Sequence, residues 1–177
     1  MNLLHSFSAR FRQYKELGER ALAQLTDAAF LQAAPEGQNS IGVIIRHMHG
    51  NMTSRFTNFL TEDGEKTWRN RDGEFEEAAR TRVELMSDWN AGWQCVFDAL
   101  NDMSDAQLAT PVYIRGESMP ALDAILRQIA HYSYHVGQLV TLCRQQAGAW
   151  SSLSIPKGES GQFTAAMRAA QAPGSGA

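Results

Sequence analysis

Two histidines four residues apart, His131 and His135, stand in a long apolar-periodic segment between about residues 119 and 147. In a helix, residues at i and i+4 lie above one another on one face, so both imidazoles can point to the same place. Imidazole nitrogens bind zinc and related divalent ions. Such ions usually take three or four ligands, so the pair forms a metal site only if a further donor joins it.

The third donor has few sources, because the chain contains only five histidines. His5 lies near the start, and His47 and His49 lie in a second periodic segment. At 3.6 residues per turn, His47 and His49 project about 200° apart, so only one of them can reach the pair. Spacing alone favours His49, which shares a stripe with Met52 and Phe56.

Without a metal, His131 and His135 would be histidines at the edge of a core, hydrogen-bonded to backbone carbonyls or neighbouring tyrosine hydroxyls. The HxxxH spacing also lacks the glutamate of the HExxH metalloproteases, and Ser133 cannot act as that base. Two glutamines, Gln128 and Gln138, extend the same face of the segment. A polar seam along an apolar helix needs partners, which favours the metal site.

Four helices are needed to position these residues, and apolar residues at threes and fours predict them over residues 2–25, 40–60, 76–103 and 119–147. Ser40 is a candidate N-cap for the second helix. In the third helix, Val83 and either Trp89 or Asn90 are expected to face inward, and Gly92 is its weak point.

The connections differ in character. Residues 61–75 are polar, contain two glycines and predict a structured surface loop. Residues 111–118 predict an extended segment that crosses back to the last helix, and residues 150–156 predict a strap on the bundle. We therefore predict an all-α fold, an up-and-down-type four-helix bundle with one crossover connection. The bundle domain spans residues 1–164, and 165–177 form a flexible tail.

Composition excludes several classes of function. The 177 residues carry a formal net charge of −3, so no global basic field attracts nucleic acid or a membrane surface. Cys95 and Cys143 lie in different predicted helices, show no metal-finger spacing and cannot form a disulfide framework. Inert buried thiols are the expectation for both, although either could be a thiolate nucleophile beside a positive group. These features predict a cytoplasmic protein.

The polar loop offers a second candidate site, since Arg69, Arg71 and Asp72 follow the aromatic Trp68. Guanidinium groups bind carboxylates and phosphates in a bidentate manner, so these residues could form an anion-recognition lip. The alternative, at least equally well supported, is a purely internal role in which Arg71 and Asp72 bond backbone carbonyls and amides and hold the loop together.

Two stretches resemble the DinB/YfiT-like superfamily. They are the segment SIGVIIRH at residues 40–47 and the segment HxxxHVGQ at residues 131–138. In that superfamily, a histidine of the second helix and a late HxxxH pair bind a divalent metal inside a four-helix bundle. Carried over by position, the resemblance implies His47, His131 and His135 as ligands, and so selects His47 over His49.

The resemblance is closer to one uncharacterised branch of that superfamily. Its members carry a stretch similar to GNMxSRFTxFLTxDGEKxWRNRDGEFE, matched here at residues 50–76. They also carry a strap similar to SLSIPKGxS, matched at residues 152–160. These motifs are specific for the branch but name no reaction.

The resemblance implies one divalent ion, zinc or nickel, with a coordination position left open to water or to a substrate thiolate. Some superfamily members are similar to bacillithiol- or mycothiol-dependent transferases and isomerases, so we expect a metal-dependent hydrolase or thiol transferase acting on a small molecule. No protein base is assigned. The alternatives are a non-catalytic metal-stabilised bundle that binds a small ligand or forms homodimers, and a bundle whose histidines only form hydrogen bonds.

Overall fold

The computed structural model describes residues 2–171 and is mostly helical, with six helices and a two-stranded hairpin in that range. The helices are α1 Leu3–Leu22, α2 Asp27–Phe30, α3 Ile41–Phe56, α4 Arg82–Asn101, α5 Ala121–Gln146 and α6 Ser160–Gln171. The strands are β1 Pro111–Ile114 and β2 Glu117–Pro120. The four long helices α1, α3, α4 and α5 correspond to the four that apolar periodicity predicts.

These four helices share one core. α3 packs along α4 and α1 packs along α5, while α3 also touches α5 and α1 touches α4. Aromatic rings fill the centre, where Phe11, Trp93 and Tyr132 contact one another at centroid distances of 5.6–6.2 Å. The buried hydroxyl of Tyr132 donates to Asn51 Oδ1 at 3.0 Å. This bond joins α5 to α3, the two helices that carry the candidate ligands.

Helix α3 begins where the sequence predicts and ends earlier. The side chain of Ser40 accepts a hydrogen bond from Val43 N at 3.2 Å, which makes Ser40 the N-cap. The helix ends at Phe56 rather than near residue 60, because Thr57 is extended and Asn58 adopts a positive φ of 50°. The chain therefore leaves α3 one turn earlier than predicted.

Helix α4 begins at Arg82, six residues later than predicted. Thr81 and Glu84 form a capping box, in which each side chain bonds the backbone N–H of the other residue. The inward assignment of Val83 was wrong, because its side chain is 80% exposed. Trp89, rather than Asn90, faces the core.

Gly92 does not interrupt α4, which runs from Arg82 to Asn101. A Cβ at this position would lie 3.0 Å from Met52 Sδ and 3.2 Å from His49 Cα. The missing side chain thus permits close approach of α3 and α4.

The hairpin corrects the all-α prediction. Residues 111–118 do not form one crossing segment: β1 and β2 pair antiparallel from Pro111↔Pro120 to Ile114↔Glu117. The turn residues Arg115 and Gly116 have φ values of 56° and 77°, as in the tight turns that match strand twist. The carboxylate of Asp63 accepts from both turn N–H groups, at 2.8 and 2.7 Å. The hairpin is therefore fixed to the loop that follows α3.

The chain after α5 is only partly packed. Trp150 and Leu153 lie against the core as the predicted strap requires, whereas Ile155 is 41% exposed. Helix α6 covers part of the predicted tail, and residues 172–177 lie outside the described residues, so the boundary at residue 165 stays a prediction. None of the helices in the described range combines the length and apolar character that crossing a bilayer requires.

Candidate metal centre

Three imidazole rings converge between α3 and α5. Nε2 of His131 lies 3.4 Å from Nε2 of His47 and 3.0 Å from Nε2 of His135. Candidate ligand atoms of the three residues all lie within 4.8 Å of one another. Zinc–nitrogen bonds of about 2.0–2.1 Å in a tetrahedral arrangement separate the nitrogens by about 3.3 Å. The spacing of the rings therefore fits one divalent ion.

His49 lies outside this cluster, so the preference from spacing was wrong. Its backbone packs on α4 at Gly92, on the side of α3 away from the other two histidines. The apolar stripe that His49 shares points toward the core, whereas the cluster forms at the edge where α3 meets α5. His5 is exposed on α1 and also lies outside the cluster.

His47 is oriented by a buried carboxylate. Its Nδ1 lies 3.0 Å from Glu74 Oε2, and the ring packs on Phe75 with centroids 4.6 Å apart. Arg69 donates to both oxygens of Glu74, from Nε at 2.7 Å and Nη2 at 2.8 Å. Burial would raise the pKa of the Glu74 carboxyl, but the bonds from Arg69 and His47 outweigh it and hold that pKa below its ordinary value. Because a carboxylate only accepts, Nδ1 of His47 carries the proton and Nε2 presents a lone pair to the cluster.

Gly50 makes this arrangement possible. A Cβ at position 50 would overlap the carboxylate of Glu74, which lies directly against α3. The glycine therefore lets the loop carboxylate reach the ring of His47, one turn earlier on the same helix.

His135 is oriented by a neutral amide. Its Nδ1 lies 2.8 Å from Gln138 Oε1, and Gln138 Nε2 donates to the Tyr134 hydroxyl at 2.9 Å. The amide oxygen therefore accepts from the ring, and Nε2 of His135 also presents a lone pair to the cluster. Nε2 of His131 faces the lone pairs on Nε2 of His47 and Nε2 of His135. A single N–H on His131 could bond only one of these two lone pairs. A cation could bind all three nitrogens.

The electrostatic surroundings keep the α5 pair neutral. Burial, together with the nearby His135 and His47, lowers the pKa of His131 to about 3. Burial likewise lowers the pKa of His135 to about 4, and the bond from Gln138 only partly opposes it. Neutral imidazole is the form that binds metals, so the α5 pair is in its ligand form at neutral pH.

The cluster opens on one side to a cavity of about 220 Å³, which His47 and His131 line. Within residues 2–171, no carboxylate or thiol joins the three imidazoles as a further candidate ligand. An ion bound there would thus have a coordination position accessible to a small molecule.

The family model described as "Protein of unknown function (DUF1572)" matches residues 1–159. The chain belongs to the DUF1572 family. The comparisons with curated proteins and with solved structures gave no match. The span matched to DUF1572 includes all three histidines, Arg69 and Glu74, so the entire cluster is part of the family region.

Arg69 and Glu74 show how the polar loop of this DUF1572 chain serves the cluster. The Arg69 side chain is 2% exposed and holds Glu74, so Arg69 stabilises the loop from inside. The side chains of Arg71 and Asp72, for which the internal role was considered, are 48% and 98% exposed. Arg71 lies over the Phe75 ring at 5.2 Å and also lines the cavity, while Trp68 is 59% exposed. The sequence gives no local signal that Glu74 would contact His47, whereas the position of Gln138 three residues after His135 is such a signal.

Neither cysteine of the DUF1572 chain belongs to the cluster. Burial raises the pKa of the Cys95 thiol above its ordinary value, and burial raises that of Cys143 to about 12. Both thiols are therefore protonated at neutral pH, as the sequence predicted for inert cysteines.

Proposed function

We propose that the protein is a divalent-metal-dependent enzyme of the DinB-like type. It would hold one zinc or nickel ion through His47, His131 and His135 and act on a small molecule by hydrolysis or thiol transfer. The four long helices would form the up-and-down bundle of that superfamily. The observation that carries the proposal is the convergence of three Nε2 atoms beside an accessible cavity.

The tautomers of the histidine rings are an argument for a bound metal ion. Glu74 and Gln138 each take up an Nδ1–H, so at least two lone pairs point at the same small volume. Lone pairs that face one another without a cation or a shared proton repel, and buried polar atoms need partners. Carboxylates and amides that accept from the other ring nitrogen commonly orient metal-binding histidines.

The cysteines bear on the type of reaction. Since Cys95 and Cys143 are both protonated, the chain supplies no thiolate of its own near the cluster. A thiol reaction would therefore use a low-molecular-weight thiol as cosubstrate, while hydrolysis would use water. A divalent ion at the site would lower the pKa of either ligand and act as a Lewis acid.

The test begins with untagged protein purified without a nickel column. X-ray absorption should show about one zinc or nickel ion per chain, with three nitrogen donors and a further exchangeable ligand such as water. The metal-loaded protein should then turn over a member of a panel of thiol cosubstrates with electrophiles, or of esters and amides. Absence of a stoichiometric metal would refute the proposal, and a fourth ligand from a protein side chain would favour a non-catalytic metal-stabilised bundle.

A further inference from the structure

Five arginines surround the cavity beside the histidine cluster: Arg55, Arg69, Arg71, Arg115 and Arg127. They come from α3, from the loop of residues 57–81, from the hairpin turn and from α5. We call this cavity the arginine chamber. Its concentration of positive charge stands out in a chain whose formal net charge is −3.

The carboxylates near the arginine chamber do not balance this charge. Glu65 binds Arg55 at 3.1 Å and Arg115 at 2.9 Å, and Glu74 binds Arg69. The other two arginines have only distant partners: Asp72 lies 3.9 Å from Arg71, and Glu117 lies 3.9 Å from Arg127. Exposed pairs at such distances neutralise little.

Two buried polar groups of the arginine chamber have no partner in the described part of the chain. Arg69 uses Nε and Nη2 on Glu74, but its buried Nη1 makes no hydrogen bond, and the nearest carboxylate oxygen, on Glu65, is 3.9 Å away. Gln128 is 3% exposed, and its Oε1 is buried without a partner. Buried polar atoms that lack partners are unfavourable. Nη1 of Arg69 is a donor and favours an acceptor such as an anion oxygen, whereas Oε1 of Gln128 is an acceptor and favours a donor such as a hydroxyl group of the same ligand.

The inner and outer arginines have different roles. Arg55 donates to the Gly64 carbonyl and to Glu65, and Arg69 holds Glu74, so these two also stabilise the loop. The side chains of Arg71, Arg115 and Arg127 are 48%, 57% and 54% exposed. The outer three can therefore rearrange around a ligand without disturbing the core.

We propose that the arginine chamber binds the anionic group, a carboxylate or phosphate, of a small substrate or cosubstrate whose other end reaches the three-histidine site. The second half of this inference rests on the proposed function, because it needs the ion. His47 and His131 line the same cavity as the arginines, so one molecule can contact both. A volume of about 220 Å³ is below the roughly 300–1,000 Å³ of sites for drug-sized ligands, which indicates a small organic anion.

The first test compares two thiols on cobalt-loaded protein. 3-Mercaptopropionate carries a carboxylate, and 2-mercaptoethanol has a neutral hydroxyl in its place. Binding is followed by the cobalt–thiolate absorption band. The acid should bind about tenfold or more tightly than the alcohol at low salt, because charge-assisted bonds to guanidinium are strong. High salt should reduce that preference.

The variant Arg127→Gln tests whether the preference for the acid over the alcohol comes from the arginine chamber. Arg144→Gln is its control. Both arginines are exposed on α5, and only Arg127 lines the cavity. Arg127→Gln should reduce the preference for the acid about threefold or more, whereas Arg144→Gln should leave it unchanged. Equal binding of the two thiols, or equal effects of the two variants, would refute anion binding by the arginine chamber. An absorption band would in either case still support the metal site.

The second test uses metal-free protein, so that the two proposals can fail separately. An NMR titration with propionate should shift resonances around the arginine chamber, and Arg127→Gln should weaken that binding. If no ion binds but propionate does, the anion site stands and the proposed function fails. If propionate causes no shift at the arginine chamber, the anion site is refuted whatever the metal does.

Discussion

The two helices that supply the candidate ligands orient them in different ways. On α3, His47 depends on Glu74, a charged group 27 residues away in the loop of residues 57–81, which Arg69 holds in place. On α5, His135 depends on Gln138, a neutral group one turn further along the same helix. The α5 ring is therefore positioned by the helix itself, whereas the α3 ring is positioned only after the loop has folded.

This difference also sets the expected strengths of the two contacts. A hydrogen bond to an ionised carboxylate is roughly twice as strong as one between neutral groups. We expect the α3 side to contribute more to metal affinity through its orienting contact, and the α5 side to depend more on helical geometry.

The largest effect should follow the loss of the α3 ligand. His47→Ala should lower metal affinity by more than about 100-fold, because loss of a ligand costs more than the roughly 10–100-fold effect of changing a residue that only hydrogen-bonds a ligand. A competition titration with a chromophoric chelator measures it. His49→Ala, two residues along α3, is the matched control and should retain affinity. Equal losses in both variants would contradict the assignment of His47.

The next largest effect should follow removal of the charge on Glu74, which bonds Nδ1 of His47. Glu74→Gln keeps the size of the side chain but removes the ionised acceptor, and it should lower metal affinity about 10–100-fold. Glu76→Gln, an exposed change two residues away, is the control in the same titration. An unchanged affinity in Glu74→Gln would show that the loop carboxylate does not tune the site.

The corresponding change on α5 should lower metal affinity by a smaller factor. Gln138→Leu removes the amide that bonds His135, and metal affinity should fall less than about tenfold, because the i,i+4 spacing still places both rings. The same chelator competition gives the value. A loss equal to that of Glu74→Gln would remove the difference between the two helices.

In the metal-free protein, acid should lower the free energy of unfolding through the two histidines of α5. The pKa values of His131 and His135 are lowered to about 3 and about 4, from 6.5 in an unfolded chain. Below pH 6.5 the unfolded chain takes up protons that the folded chain does not, so the stability present above 6.5 is lost as pH falls toward 4.

The melting temperature of the metal-free protein should therefore drop by about 2–8 °C between pH 7 and pH 5.5, where most carboxylates remain ionised. Differential scanning calorimetry in the presence of a chelator measures it. His131→Gln should flatten the profile. A flat profile in the unaltered protein would mean that the two rings become protonated in the folded state near their ordinary pKa.

The candidate site could be predicted from the sequence only where its contacts are local. The spacing of His131 and His135 on one helix face could be inferred from the sequence, as could Gln138 on the same face. The contact between His47 and Glu74 could not, because it depends on the path of the loop. Spacing favoured His49 as the third ligand because it lies on the apolar stripe, which points to the core. The resemblance to the DinB/YfiT-like superfamily implied His47 instead.

The fold shows the same limit. The four long helices follow from apolar periodicity, but the third was predicted to start at residue 76. Residues 76–79 are exposed, and the capping box of Thr81 and Glu84 sets the start of the helix instead. The turn at Arg115 and Gly116 is bonded by the distant Asp63, and the local sequence predicted one extended segment where the structure has two strands.

Gly50 has a consequence for how such a site could change. The position contacts no ion and lines no part of the cavity with a side chain, yet any larger residue would displace the Glu74 carboxylate from α3. A substitution there would loosen the hold on one ligand while every ligand remained present. Evolution or protein design could therefore adjust the residence time of an ion bound at the candidate site through a residue that has no functional group at all.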